Sequence, residues 1–217
     1  MSQAEENYLK AIFALQFDFG KGVSTNLIAS KIATRPSSVT DMLKKLAVKN
    51  LIVYKKYQGV YLTEKGNDLA KKVIRKHRLW ETFLVDKLGF KWDKVHDIAE
   101  QLEHVKSTEL IDKLDAFLGH PKSDPHGDPI PDSEGNLPKH RQDFLANMPL
   151  KTPCTLKGVK DSSDVFLNYL NQKNIGLGSL IKIENIEAFD KSMRIKVNNT
   201  FVNISDKTAN NLIVSKQ

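Results

Sequence analysis

Apolar positions in the first fifty residues recur at helical spacing. In NYLKAIFALQF, Leu9, Ile12, Phe13 and Phe17 fall on one side of a helix. The next stretch reads STNLIASKIATRPSSVTDMLKKLAVKNLI. Ser24 stands where it can cap a short helix running through Lys31, and Thr34-Arg35 form a tight turn. Pro36 suits the first turn of the following helix, where its missing amide proton has no partner to lose. That helix turns Val39, Met42, Leu43 and Leu46 inward and Ser37, Ser38, Thr40, Asp41, Lys44 and Lys45 outward. Two short helices with a compact turn predict a helix-turn-helix. LIVYKKYQGVYLT then reads as strand, turn, strand about Gln58-Gly59, and a hairpin directly after the second helix makes a winged helix. Lys55 and Lys56 fall where a wing meets phosphate. The alternative is a hairpin whose charged edge deters aggregation.

From EKGNDLA onward the period is helical over three segments: GNDLAKKVIRKHRLWETFLVDKLGF, KWDKVHDIAEQLEHV and STELIDKLDAFLG. Leu69, Val73, Leu79 and Phe83 make an apolar stripe that Leu110, Ile111, Leu114 and Leu118 continue. HPKSDPHGDPIPDSEGNLPKHRQ, with Pro121, Pro125, Pro129, Pro131 and Pro138, excludes regular secondary structure and closes the helical region near position 119. Beyond it, short segments rich in Val and Ile, with the helix SDVFLNYLNQK inserted, predict a small SH3-like β-barrel. The fold class is therefore mainly α with β.

Charge changes the picture. The net charge is +7, yet residues 1–76 carry 14 Lys/Arg against 6 Asp/Glu, whereas residues 77–217 carry 19 against 20. The excess lies in the predicted winged helix and points to a polyanion, DNA or RNA. No apolar run approaches the ~18 residues of a membrane span. The first residues lack the pattern of a secretory signal, and Cys154 is a lone cysteine. The expectation is an intracellular, cytoplasmic protein with no membrane partner.

HDIAEQLEHV adds candidate chemistry. At about 100° per residue, His96, Glu100, Glu103 and His104 share an arc of roughly 100°, one face of the helix. Ile98, Leu102 and Val105 lie on other sides. His77 and Glu81 form a second pair, four residues apart. Each pair alone is an ordinary solvated contact, but imidazoles and carboxylates without thiolate suit a divalent cation of the manganese, iron or zinc kind.

Taken together, RPSSVTDMLKKL, RKHRLWETFL, KVHDIAEQLEHV and DPHGDPIP resemble the diphtheria toxin repressor and manganese transport regulator family of metal-dependent transcriptional repressors. The similarity covers essentially the whole chain. It implies a winged-helix DNA-binding domain over 1–72, a helical dimerisation and metal-binding domain over 73–120, a proline-rich linker over 121–147 and an SH3-like, FeoA-type barrel over 148–217. It also implies one effector site of Asn7, Glu100, Glu103 and His104 and a companion site of His77, Glu81 and His96. His126 and Asp161 are further candidate ligands. Asn7 stands where members usually carry Asp or Met, so its ligand oxygen brings no charge. Glu100 takes the glutamate of manganese-type members rather than the cysteine of iron-type ones. Mn(II) is the expected co-repressor, Fe(II) the alternative and Zn(II) a non-physiological occupant.

The mechanism implied is that metal ties the first helix to the helical domain. A homodimer then presents two recognition helices to successive major grooves of a palindromic operator in double-stranded DNA. Arg35, Pro36, Ser37, Ser38, Thr40 and Asp41 are expected near base edges; Lys44, Lys45, Lys55 and Lys56 are expected at phosphates. An enzyme is not expected, because the inverted zinc-protease pattern H-x-x-E-H would begin at Glu100 and lacks its first histidine. The other rival is a winged-helix protein that binds DNA without sensing metal.

Overall fold

Ser2 starts the chain's first helix with a reciprocal cap: its hydroxyl accepts from the Glu5 amide while the Glu5 carboxylate accepts from the Ser2 amide. In this computed structural model, which describes residues 1–55, 57–138 and 143–217, helix α1 (Gln3–Phe19) ends at Gly20. The glycine has φ +63°, a left-handed cap that favours a residue without Cβ. Helix α2 (Thr25–Lys31) is capped by the Ser24 hydroxyl, and helix α3 (Pro36–Val48) begins on its proline. Strands β1 (Ile52–Lys55) and β2 (Gly59–Leu62) pair antiparallel as the wing. Helix α4 spans Glu64–Asp86.

The described residues divide into two compact units. The first comprises Met1–His77, Glu103–Lys106 and Pro131–Asn136. Its core gathers Leu9 and Ile12 of α1, Ile28 of α2, Val39 and Leu46 of α3 and Val60 of β2, all essentially inaccessible. Burial of that apolar surface drives the packing of these short helices, which are too short to be stable alone. Phe17 departs from the expected inward stripe: it is 65% exposed. Tyr8 and Leu15 are buried on α1, and Phe17 stacks on Phe13, ring centroids 6.5 Å apart.

The second unit comprises Arg78–Leu102, Ser107–Ile130 and Leu137–Gln217. Helix α5 (His96–Leu102) packs Ala99 against Leu84 and Val95, and helix α6 (Thr108–Phe117) packs Ile111 and Leu114 against Leu79 and Ile130. The Ser107 hydroxyl caps α6. A six-stranded antiparallel sheet follows, in the order β3-β8-β4-β5-β6-β7. Its strands are β3 (Asp143–Phe144), β4 (Pro153–Val159), β5 (Leu180–Ile186), β6 (Met193–Val197), β7 (Thr200–Ile204) and β8 (Leu212–Lys216). Helix α7 (Asp164–Gln172) and the single turn α8 (Asp206–Ala209) are inserted between strands. The inner face buries Leu156, Ile181, Ile183, Ile195 and Val214 with Leu167 and Leu170 of α7. The described stretch from Pro121 to Pro138 contains no helix. Within it, His126-Gly127 lies against β4: the Val159 amide donates to the His126 carbonyl at 2.6 Å. A Cβ on Gly127 or on Gly158 would stand 2.5 Å from the other's Cα, so this seam admits only glycine. Among the described residues no helix is long and apolar enough to cross a membrane.

Candidate metal centre

Helix α5 stops at Leu102, short of the helical stripe expected through His104. Glu103 and His104 lie in the turn that follows and belong to the first unit, whereas Glu100 stays on the helix in the second. The departure has an electrostatic reason. Glu103 is fully buried, and its carboxylate meets two cation-forming groups of the first unit. Lys10 Nζ lies 2.8 and 2.7 Å from its two oxygens, and His77 Nδ1 lies 2.6 Å from Oε2. Burial alone would raise the Glu103 pKa, but the hydrogen bond and charge of His77 and the charge of Lys10 outweigh it and hold the carboxyl below its ordinary value. Lys76 donates to the Val105 carbonyl at 3.4 Å, and burial pushes its pKa down against the attraction of Glu6 and Glu103.

Around this carboxylate, His104 Nδ1 meets Glu6 Oε2 at 2.6 Å, while its Nε2 lies 3.8 Å from Glu103 Oε1. Asn7, one residue further along α1, has its Oδ1 buried with no hydrogen-bond partner. Leaving an amide oxygen dry and unpaired costs about 1–3 kcal/mol, and a cation would satisfy it. The Lys10 ammonium on Glu103 marks where positive charge is accommodated. The donors of the first unit fit a divalent ion: the Glu6 and Glu103 carboxylates approach the His104 imidazole, and α1 adds the buried Asn7 amide oxygen, all without sulfur.

The second unit holds another cluster. The ligand atoms of Glu81, Asp124 and His126, all buried residues, lie within 4.8 Å of one another. Glu81 stands between two imidazoles: Oε1 is 3.3 Å from His96 Nδ1 and Oε2 is 3.3 Å from His126 Nδ1. His96 also reaches Glu100 through Nε2 at 3.6 Å, and its own side chain is largely exposed. His126 Nε2 lies 2.8 Å from the Trp92 carbonyl, which fixes a proton on that nitrogen and turns Nδ1 toward Glu81. Burial disfavours the imidazolium, but the Glu81 carboxylate outweighs it and lifts the His126 pKa to about 9. Asp124 moves the other way from a normal carboxylate. Burial and the nearby Glu81 and Asp128 push it up to about 7, against the pull of Arg78 and His126. Its Oδ1 accepts from the His126 and Asp128 amides at 2.8 and 3.0 Å, an Asx turn that aims the loop.

Asp124, Glu6 and Lys10 are the residues that sequence reasoning passed over. Asp124 had a readable signal, an acid two residues before a histidine within DPHG; the other two looked like ordinary charges of an amphipathic helix. Asp161 accepts from the Ser163 amide at 2.9 Å, in the turn before α7.

On the winged helix, Arg35, Pro36, Ser37, Ser38, Thr40, Asp41, Lys44, Lys45 and Lys55 are all exposed. The Thr40 hydroxyl donates to the Pro36 carbonyl at 3.0 Å, Lys44 pairs with Asp41 at 3.3 Å, and Lys55 lies over the Tyr61 ring. Lys56 lies outside the described residues.

Comparison with known proteins agrees along the chain. Residues 1–60 match the N-terminal DNA-binding domain of iron-dependent repressors, residues 63–132 match their metal-binding and dimerisation domain, and residues 145–216 match the FeoA domain. The HTH-type transcriptional regulator MntR of Bacillus pumilus is 36% identical over 109 residues, 50% of this chain and 74% of that protein. The iron-dependent repressor IdeR of Mycobacterium bovis is 35% identical over 126 residues, 58% of this chain and 54% of that protein. A solved manganese-dependent transcriptional repressor in complex with manganese superposes with a TM-score of 0.83 at 32% identity, covering 98% of this chain and 100% of its own. With both DNA-binding and dimerisation domains present, the chain belongs to the diphtheria toxin repressor and manganese transport regulator family of metal-dependent transcriptional repressors.

Proposed function

We propose that the effector of this repressor is Mn(II), taken up in the first unit by Asn7, Glu103 and His104 and in the second by Glu81, Asp124 and His126 with His96. The observation that carries the reading is the buried, unpartnered Asn7 Oδ1, on the same helix as Glu6 and Lys10, which meet His104 and Glu103. The one cysteine, Cys154, is buried in β4, part of the sheet core. Oxygen and imidazole donors without thiolate suit Mn(II), and because ranked affinity favours the later transition metals, its selection rests on coordination number and geometry. Similarity to an iron-dependent repressor makes Fe(II) the second reading. Glu100 adjoins the second set through His96, Asp161 enters only through the family resemblance, and His77 serves Glu103.

A bound divalent ion supplies charge neutralisation that the carboxylates otherwise obtain from Lys10 and the histidines. This chain's residues do the rest. Asn7 anchors α1, and Glu103 and His104 anchor the turn after α5, so filling the site fixes α1 within the winged-helix unit. DNA affinity then rises by as much as the ion prefers that arrangement. Exposed Arg35, Ser37, Ser38, Thr40 and Asp41 read base edges of a palindromic operator, and Lys44, Lys45, Lys55 and Lys56 meet phosphates.

The test is operator affinity under anaerobic conditions at fixed salt, with chelator, Mn(II) or Fe(II) at defined free concentrations. A strong rise with Mn(II) alone is expected. An equal rise with Fe(II) overturns the manganese assignment, and no response to chelator overturns metal sensing.

Lys10 offers a separate check. Because its ammonium sits on both Glu103 oxygens, an incoming ion must displace it. Lys10→Met is expected to tighten Mn(II) binding by roughly tenfold, about 1.4 kcal/mol, in equilibrium titration of the full chain. Unchanged or weaker binding would show that the ammonium does not compete.

A further inference from the structure

Strand β7 is the outer strand of the six-stranded sheet and pairs, among the described residues, with β6 alone. The pairing runs without a bulge from Met193 opposite Ile204 to Val197 opposite Thr200. Edge strands are usually defended by a lysine, a proline, a bulge or extreme shortness. The β7 sequence, Thr-Phe-Val-Asn-Ile, contains no charge and no proline, and its five residues make a full strand. Phe201, its second residue, is 53% exposed. The backbone edge is thus open to another strand, with an apolar side chain to seat it.

The adjoining face carries the charge. Lys182 of β5 is in register with Lys196 of β6, and Lys196 with Phe201 of β7, so the three share the face opposite the core. Arg194 lies two positions from Lys196 on the same face, its guanidinium 4.6 Å from the Phe201 ring centroid and extended toward the edge. Among the described residues, Glu184 is the carboxylate that pairs with this row, at 3.4 Å from Lys182, and it is shared with Lys151. The row keeps an excess of positive charge beside an open edge.

From this juxtaposition we propose that β7 docks an extended acidic segment of a partner protein by strand addition. Backbone hydrogen bonds would run along β7, glutamate or aspartate side chains would face Arg194 and Lys196, and an apolar side chain would rest on Phe201. A second copy of this chain is the poorer occupant, because pairing two β7 edges would bring two cationic rows together. The proposal is independent of the metal reading.

The experiment uses isotope-labelled full-length protein and a synthetic peptide of about eight residues, a strand's length, that alternates Glu with Val and Phe. Amide shifts and slowed hydrogen exchange are expected at Thr200–Ile204. Binding should weaken at least tenfold in the surface variant Arg194→Glu/Lys196→Glu and when the peptide's glutamates are replaced by lysine. Asn203→Pro, which removes an amide facing the open edge and leaves the β6 pairing, should abolish it; retained operator binding would show that this variant is folded, and the charge variant stands if it is not. No response at β7 with millimolar peptide, or equal binding of the lysine peptide, overturns the proposal. So does β7 protection that appears with rising protein concentration and no peptide, which would assign the edge to self-association.

Discussion

Glu103→Ala is expected to abolish metal-stimulated operator binding and to destabilise the protein by about 3–5 kcal/mol, the cost of removing one partner from a buried ion pair. The stability loss follows from burial: Glu103 is fully inaccessible, and its removal leaves Lys10 and His77 without the carboxylate they converge on. The functional loss follows from position, since Glu103 is the carboxylate between the Asn7 helix and His104. Changing a residue that only hydrogen-bonds to a metal ligand already costs about 10–100-fold in affinity, so removing a direct ligand should exceed that range. Glu103→Gln separates the two effects. It keeps the volume and a hydrogen-bond acceptor, so it should fold, melt at an intermediate temperature and still bind operator without responding to Mn(II). Denaturant unfolding together with operator titration reads both. A Glu103→Gln protein with a full metal response would remove Glu103 from the site.

The second large effect is a pair of opposed pH dependences set by His126 and Asp124. In metal-free protein the His126 pKa stands near 9 against about 6.5 in an unfolded chain. Its contribution is therefore fully present below about pH 6.5 and is lost as pH rises through 9, an amount on the order of 3 kcal/mol. Asp124, raised to about 7, adds in the same direction: its contribution is present below about pH 4 and disappears as pH rises through 7. Metal-free protein should consequently melt at progressively lower temperature between pH 6 and about 9.5. Mn(II) binding should strengthen over that interval, by up to about tenfold per pH unit, because the ion must displace the His126 proton. Calorimetric melting with chelator and metal titration at several pH values check both slopes. In His126→Gln the upper part of each slope should vanish. Parallel slopes, with stability and metal affinity falling together as pH rises, would remove His126 from the ligand set.

Much of the architecture was legible in the chain because its signals are local. Ser24 and Pro36 mark helix starts where the structure has them, since capping is decided within a few residues. Five prolines between Pro121 and Pro138 forbade a helix there on backbone grounds alone. The exposed polar face of α3 followed from helical period, as did its buried Val39, Leu43 and Leu46.

The candidate site was less legible, because its charges are brought together from distant parts of the sequence. His96, Glu100, Glu103 and His104 looked like one helical stripe, but α5 ends at Leu102. Glu103 turns away to meet Lys10 and His77, which lie 93 and 26 residues from it in sequence. His126 was a bare candidate, and Asp124 beside it went unnoticed until Glu81 stood within reach of both.

The sequence by itself determined the elements, their order, the basic winged helix and the residue types able to hold a hard cation, since propensity, period and charge belong to short stretches. Tertiary structure alone decided which carboxylate is buried with which cation and which amide oxygen is left unpaired. Those outcomes depend on desolvation and on distances of about 3 Å between groups remote in the chain, which no local pattern encodes.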